Sequence, residues 1–118
     1  MTKMQIKPLR GDIWFVDLDP VVGHEQGKRR PCLVVSTNSF NTGYAGLVTL
    51  VPLTSVDKKI PWHVKITSPE GGVIKVSFAL CEQVSTVSKD RFSGKPLGTV
   101  DDLTLHEVEN RLRVLLEL

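Results

Sequence analysis

"IWFVDLDPVVGHEQGKRRPCLVVS", residues Ile13 to Ser36, joins two apolar runs through a loop crowded with charge. The first run, Ile13–Leu18, is rich in aromatic and branched residues and follows the turn pair Gly11-Asp12, so it predicts a strand. The second, Cys32–Ser36, starts right after Pro31, and a proline is tolerated at a strand entrance because its missing N–H is not yet needed by the ladder. Between them, Gly23–Pro31 packs Glu25, His24, Lys28, Arg29 and Arg30 into one turn. A solvated hairpin needs only a turn and a charge or two. This strand–loop–strand unit therefore predicts a β protein with chemistry concentrated in one loop.

Further strand signals extend the pattern. Leu47–Leu53 is another apolar run, with Pro52 expected at its end, an edge or a bulge. Trp62–Thr67 partly alternates, with Val64 and Ile66 on one face. Val73–Val87 reads either as two strands or as one long strand bent near Cys81–Gln83. Asp90–Phe92 predicts a short helical turn, and Ser39–Gly46 and Thr54–Trp62 read as loops. Many short strands with regular turns predict a small barrel or sandwich. The C-terminus differs: in Leu103–Leu118, Leu105, Val108, Leu112 and Leu115 recur at helical steps. There, Thr104 and Glu107 form a T-x-x-E capping box, with Leu103 and Val108 as its hydrophobic staple. The apolar face of this helix is expected to cover the sheet.

The 118 residues, 41% hydrophobic and 24% charged, predict one domain over 1–118 with a real core and argue against disorder. No apolar run reaches membrane-span length, and "MTKMQIKPLRGD" lacks an apolar signal region, so a cytoplasmic protein without a membrane partner is expected. Cys32 and Cys81 form no C-x-x-C pair and read as buried, reduced thiols. His24, His63 and His106 lack ligand spacing, so neither a metal nor another cofactor is expected. Of 15 basic and 13 acidic residues, the Gly23–Pro31 loop holds three basic and one acidic, leaving 12 of each elsewhere. The excess positive charge thus sits in one loop, as a footprint for a polyanion.

Several chemistries lack their residues. There is no G-x-S-x-G elbow and no local signature around either cysteine. The glycines of "VVGHEQG" are flanked by strand runs, so no phosphate-cradling helix follows them. Glu25 has no nearby carboxylate to make a glycosidase pair. RNA, by contrast, carries its own nucleophile, the 2′-OH beside each phosphodiester. A protein that cleaves it must aid loss of the 2′-OH proton, stabilise the phosphorane and let the 5′ oxygen be protonated. Fixed guanidinium groups suit the second task, because they match phosphate oxygens and aim at charge that develops in the transition state.

"RGDIWFVDLDPVVGHEQGKRRPCLVVS", then "VTLVPLTS", then "ALCEQVSTVSKDR" and "LGTV" before a terminal helix, together resemble the MazF/PemK family of toxin endoribonucleases. The likeness runs from Arg10 to the last helix. It implies a mainly β fold, an SH3-like small barrel formed by a strongly bent antiparallel sheet with a C-terminal helix, as in the CcdB/PemK-like toxins. It also implies a homodimer, metal-independent cleavage of single-stranded RNA to 2′,3′-cyclic phosphate and 5′-hydroxyl ends, and an antitoxin with an acidic, disordered tail.

By resemblance the catalytic arginine falls on Arg30 and the catalytic hydroxyl on Thr54, with the motif glutamate on Glu25 and the glutamines on Gln26 and Gln83. Glu25 is a base for the 2′-OH or a loop-shaping carboxylate; Gln83 is an RNA contact or a structural group. Lys28, Arg29, Lys58 and Lys59 are expected to attract the RNA backbone. Trp14 and Phe15 read as core, and Trp62 is a better candidate for stacking on a base. A non-catalytic binding module and a gyrase-targeting CcdB-like toxin are the rival readings.

Overall fold

The computed structural model describes residues 6–118 except Val21 and Gln26. Seven strands follow one another: β1 (Asp12–Asp17), β2 (Arg29–Val34), β3 (Leu47–Thr54), β4 (His63–Ile66), β5 (Ser77–Leu80), β6 (Ser85–Ser88) and β7 (Phe92–Thr99). A short helix α1 (Asn38–Asn41) precedes β3, and α2 (Asp102–Leu116) ends the chain. Every strand pairing among the described residues is antiparallel, in the order β4-β5-β3-β2-β1-β7, with β6 also on β3. The two outer strands, β4 and β7, are not paired to each other, so the strongly bent sheet expected from the resemblance is present and the barrel is not closed.

β3 and the Cys32–Val34 end of β2 are apolar without alternation because both of their faces are buried. Leu33, Val35, Val51 and Leu53 join Ile13 in one core, which Val64, Ile66 and Ala79 extend and α2 covers through Val108, Leu105 and Leu112. Cys32, Val34, Val48 and Leu50 join Trp14 and Val16 in a second core on the opposite face, closed by Phe92, Leu18 and Val87. Trp14 meets Phe92 edge to face, centroids 5.8 Å apart, an arrangement that suits the ring quadrupoles.

β3 holds the bend. Its first half pairs β6, from Leu47↔Ser88 to Leu50↔Ser85, and its last residues pair β5 through Leu53↔Ala79 and Thr54↔Phe78. A 3₁₀ turn at Cys81–Gln83 separates the two partners, so Val73–Val87 contains two strands broken where the bend was expected. Pro52 does not end β3: it is buried, pairs with Cys32, and sits in the gap between the two ladders, an irregular place where a strand proline is tolerated.

Three expectations change. The Ser39–Gly46 loop begins inside α1, capped by Thr37 and anchored by the fully buried Asn41, whose Nδ2 donates to the Ser36 carbonyl at 3.1 Å. β7 was not foreseen, because "FSGKPLGT" is mostly exposed and carries glycine, lysine and proline; it forms as an edge strand on β1, across a bulge between Ile13 and Phe15. The helix cap is not Thr104. Asp101 is the N-cap, its Oδ1 accepting from the Thr104 N–H at 2.8 Å, so α2 starts earlier and Leu103 is left 79% exposed. Val100 and Leu105 then occupy the staple positions, both packed into the first core. The turn expected at Asp90–Phe92 appears as a 3₁₀ turn at Lys89–Arg91.

The "LGTV" segment has a steric reason. A Cβ on Gly98 would lie 2.7 Å from the Gly71 carbonyl carbon, so β7 and the 70–72 turn touch backbone to backbone. Gly98→Ala should therefore lower unfolding free energy by about 1–3 kcal/mol, read from denaturant melts; an unchanged midpoint would show that this contact can open freely. Cys32 and Cys81 are both free and fully buried, and burial pushes each thiol up to about 12. Raised thiols hold little thiolate, so both should react with Ellman's reagent at pH 8 at least about a hundredfold more slowly in the native protein than after unfolding.

Candidate nucleic-acid interface

The β1–β2 connection is held at its base by backbone. The Leu18 N–H donates to the Lys28 carbonyl at 2.9 Å, and the Lys28 N–H donates to Asp19 Oδ1 at 2.7 Å. Lys28 has φ of 65°, a left-handed turn conformation that a lysine adopts only where its surroundings require it. Arg91, from the 3₁₀ turn before β7, donates Nη1 to the carbonyls of Asp17 (3.0 Å) and Asp19 (2.5 Å). The loop is thus clamped by a residue far along the chain, at the start of the strand that flanks β1.

Within the loop, Glu25 accepts the Val22 N–H through Oε1 at 2.6 Å, so one oxygen shapes the turn. Gln26 lies outside the described residues. Arg30 is half-buried, and its Nε donates to the Gly27 carbonyl at 2.8 Å, which aims the rest of the guanidinium away from that turn. Alternation sends Arg29 to the other face, where its guanidinium lies 4.4 Å from the Phe15 ring centre and Nε donates to Ser93 Oγ at 3.2 Å.

Thr54 ends β3, buried, with Oγ1 accepting the Val56 N–H at 3.2 Å. The β2–β3 register pairs Cys32 with Pro52. Continued by two residues, that register sets Arg30 across from Thr54, on the same face. Arg30 also makes itself felt at Cys32, where its charge partly offsets the rise that burial causes.

A cavity of about 600 Å³ opens next to Pro52, and neither Arg30 nor Thr54 lines it. Glu25, Pro52, Glu82, Gln83 and Arg91 contribute to its wall, so two of the residues expected from sequence, Glu25 and Gln83, meet there. Lys58 and Lys59 are exposed on the β3–β4 loop and do not line it. Trp62 faces elsewhere, in a shallow apolar groove with Pro61, Arg111 and Val114. Trp14 is core, and Phe15 is half-buried beneath Arg29.

The arginines divide by region; the lysines do not, since Lys7, Lys65, Lys75, Lys89 and Lys95 also have no carboxylate partner among the described residues. Arg10, Arg111 and Arg113 each bridge a glutamate of α2. Among the described residues, Lys28, Arg29, Arg30, Lys58, Lys59 and Arg91 have no carboxylate partner. A partly buried guanidinium without a counter-ion favours an anion from outside. Among the described residues no three His, Cys, Asp or Glu side chains gather as metal ligands. Sequence reasoning passed over two wall residues, Arg91 and Glu82, although both stand in the quoted "ALCEQVSTVSKDR". Neither is unusual in its own segment, and only the fold shows that both reach the cavity wall.

Residues 9–116 match the family model described as PemK-like, MazF-like toxin of type II toxin-antitoxin system. The chain is 36% identical over 110 residues to Endoribonuclease EndoA of Bacillus subtilis, covering 92% of this chain and 94% of that protein. Its fold is similar to the crystal structure of MazF from Deinococcus radiodurans, with a TM-score of 0.85, 31% identity, and coverage of 97% and 100%. It is also similar to a MazE–MazF structure from the same organism, with a TM-score of 0.79, 31% identity, and coverage of 97% and 99%. A match over nearly the whole chain, on the fold and around the loop that carry the motif, makes this chain a member of the PemK/MazF-like toxin family.

Proposed function

We propose that this chain cleaves single-stranded RNA at a site built around Arg30 and Thr54, using the RNA's own 2′-OH as nucleophile. Membership in a family of toxins with endoribonuclease relatives makes it an endoribonuclease toxin of a toxin–antitoxin system. What supports the site is the half-buried Arg30, without a carboxylate partner among the described residues, on the face that the β2–β3 register, continued past Cys32 and Pro52, would share with Thr54. We assign the action to the cytoplasm, where RNA is translated.

In this reading the 2′ oxygen attacks phosphorus and its proton passes to Glu25, whose Oε1 already holds the loop and whose second oxygen accepts it. The P–O5′ bond breaks, and the departing oxygen takes a proton from solvent water to become a 5′-hydroxyl. The other product is a 2′,3′-cyclic phosphate. Arg30 acts on the phosphorane, where negative charge grows; a guanidinium stays protonated and is a poor base. Thr54 donates its hydroxyl proton to a phosphate oxygen while its lone pair stays with the Val56 N–H. Arg91, Lys28, Arg29, Lys58 and Lys59 add field for the RNA backbone, and the same uncompensated charge suits an acidic antitoxin tail. Gln26 and Gln83 belong to the RNA contacts in this reading, Gln83 from the cavity wall. We assign the working unit as a homodimer, since small oligomers are mostly two-fold symmetric.

Arg30→Ala should lower the cleavage rate by about 10²–10³-fold with an unchanged melting midpoint. Arg30→Lys should restore little of it, because an ammonium lacks the planar fork. Undiminished cutting by the alanine variant would remove Arg30 from the mechanism.

Glu25→Gln keeps an acceptor for Val22 and loses the base, so a drop of about 10²-fold or more is expected in single-turnover assays. Full activity in that variant would leave Glu25 as a loop-shaping group only. Cleavage should persist in EDTA, and end-group analysis should find cyclic phosphates. RNA that binds and remains intact would favour a binding module instead.

A further inference from the structure

The cavity lined by Glu25, Pro52 and Arg91 contains a feature that phosphate binding does not explain. Two of its wall residues, Glu25 and Glu82, are carboxylates, and a negative charge repels the backbone of RNA. Glu25 has its place in the loop. Glu82 stands on the Cys81–Gln83 turn, at the break between β5 and β6, beside Gln83. It has no lysine or arginine partner among the described residues.

Its one partner is a buried histidine. His63 opens β4 across from Leu80, its side chain only 3% exposed, and Nε2 lies 2.8 Å from Glu82 Oε2. The other ring nitrogen, Nδ1, is buried and has no hydrogen-bond partner. In the neutral ring this places the proton on Nε2, which donates to Oε2, and leaves Nδ1 as a bare lone pair needing no acceptor. A ring so enclosed has little freedom. It holds one carboxylate oxygen, Oε2, while Glu82 contributes to the cavity wall.

A carboxylate accepts hydrogen bonds and donates none. Single-stranded RNA offers neutral donors to it only on its bases and 2′-hydroxyls. Among base edges, cytosine, adenine and guanine each carry an exocyclic amino group, and carboxylates pair well with such amines. Uracil has only N3–H, set between two carbonyl oxygens that a carboxylate repels.

We infer that Glu82, held in place by His63, is a specificity residue: it accepts a hydrogen bond from the amino group of a base beside the cleaved linkage and disfavours uracil there. Glu82 touches the RNA, and His63 is its positioning residue. The inference rests on the RNA-cleaving reading above and names part of what that site recognises. It also accounts for a negative group in a region otherwise rich in unpaired cations, since attraction for the backbone and choice of base come from different atoms.

The test is a randomised RNA pool cut by the wild-type protein and its variants, with the new 5′-hydroxyl ends sequenced. The wild type should show a position near the cut at which uracil is rare. In Glu82→Gln, whose amide can donate to a uracil carbonyl, uracil at that position should rise about tenfold relative to the amino-bearing bases. Glu82→Ala should lose the bias against uracil without favouring it.

His63→Phe should relax the same position, and His63→Gln, which again supplies an N–H donor, should restore the preference. A change in stability alone slows cutting at all sites equally and leaves this ratio untouched, so melting midpoints separate the two effects. A wild-type profile that tolerates uracil at every position overturns the inference, as do Glu82 variants with an unshifted profile, and in both cases the RNA-cleaving reading stands. A wild-type protein that cuts nothing removes that reading and the inference with it.

Discussion

Strand β3 is buried on both faces and paired along both edges, and the rest of the molecule is arranged around that requirement. One edge carries β2; the other carries β6 and then β5. A single partner strand could have served the second edge. Instead the chain turns at Cys81–Gln83 and changes from one ladder to the next, with Pro52 in the gap. That break allows the sheet to bend, so that Val51 and Leu53 enter one core while Val48 and Leu50 enter the other. With apolar burial worth about 25 cal/mol per Å², a strand that buries both faces is a large stabilising element, and its geometry is not easily deformed.

The candidate site uses that rigidity. Thr54 is the last residue of β3, Arg30 lies near the start of β2, and Glu82 and Gln83 lie on the turn that breaks the opposite edge. All are close to element ends, where a side chain can face a cavity while its backbone is fixed by the sheet. The opening loop, by contrast, must be tied down. Arg91 does this with two hydrogen bonds to backbone carbonyls, which leaves its charge uncancelled. Charge is thereby retained for an external anion at this end, whereas the arginines near α2 are spent on glutamates of the helix.

How much of this was legible in the sequence depended on whether a feature is local. β1, the second half of β2 and nearly all of β3 show as apolar runs, and the bend near Cys81 shows where "LCEQ" interrupts two strand runs. β7 was invisible, since its residues are exposed and it exists only because β1 offers a free edge. The helix was plain but its start was not: Asp101 and Thr104 are both acceptable caps, and the choice fell to Asp101 because Val100 and Leu105 then pack into the core. Arg30, Thr54, Glu25 and Gln83 were proposed from the order of their motifs. The His63–Glu82 pair was missed because neither residue is unusual in its own segment.

The sequence by itself determined which segments are apolar, where the positive excess lies and which motifs occur in order, since each is a property of neighbouring residues. Only the tertiary structure decided the partners: Arg30 bonded to the Gly27 carbonyl, Arg29 turned away onto Phe15, Glu82 held by a buried imidazole, and Arg91 clamping a loop far from it in the chain. The physical reason is that hydrophobic burial is non-directional and can be read from a pattern. A polar group's role depends on which donor or acceptor lies within about 3 Å, and that follows from strand register and the bend of the sheet.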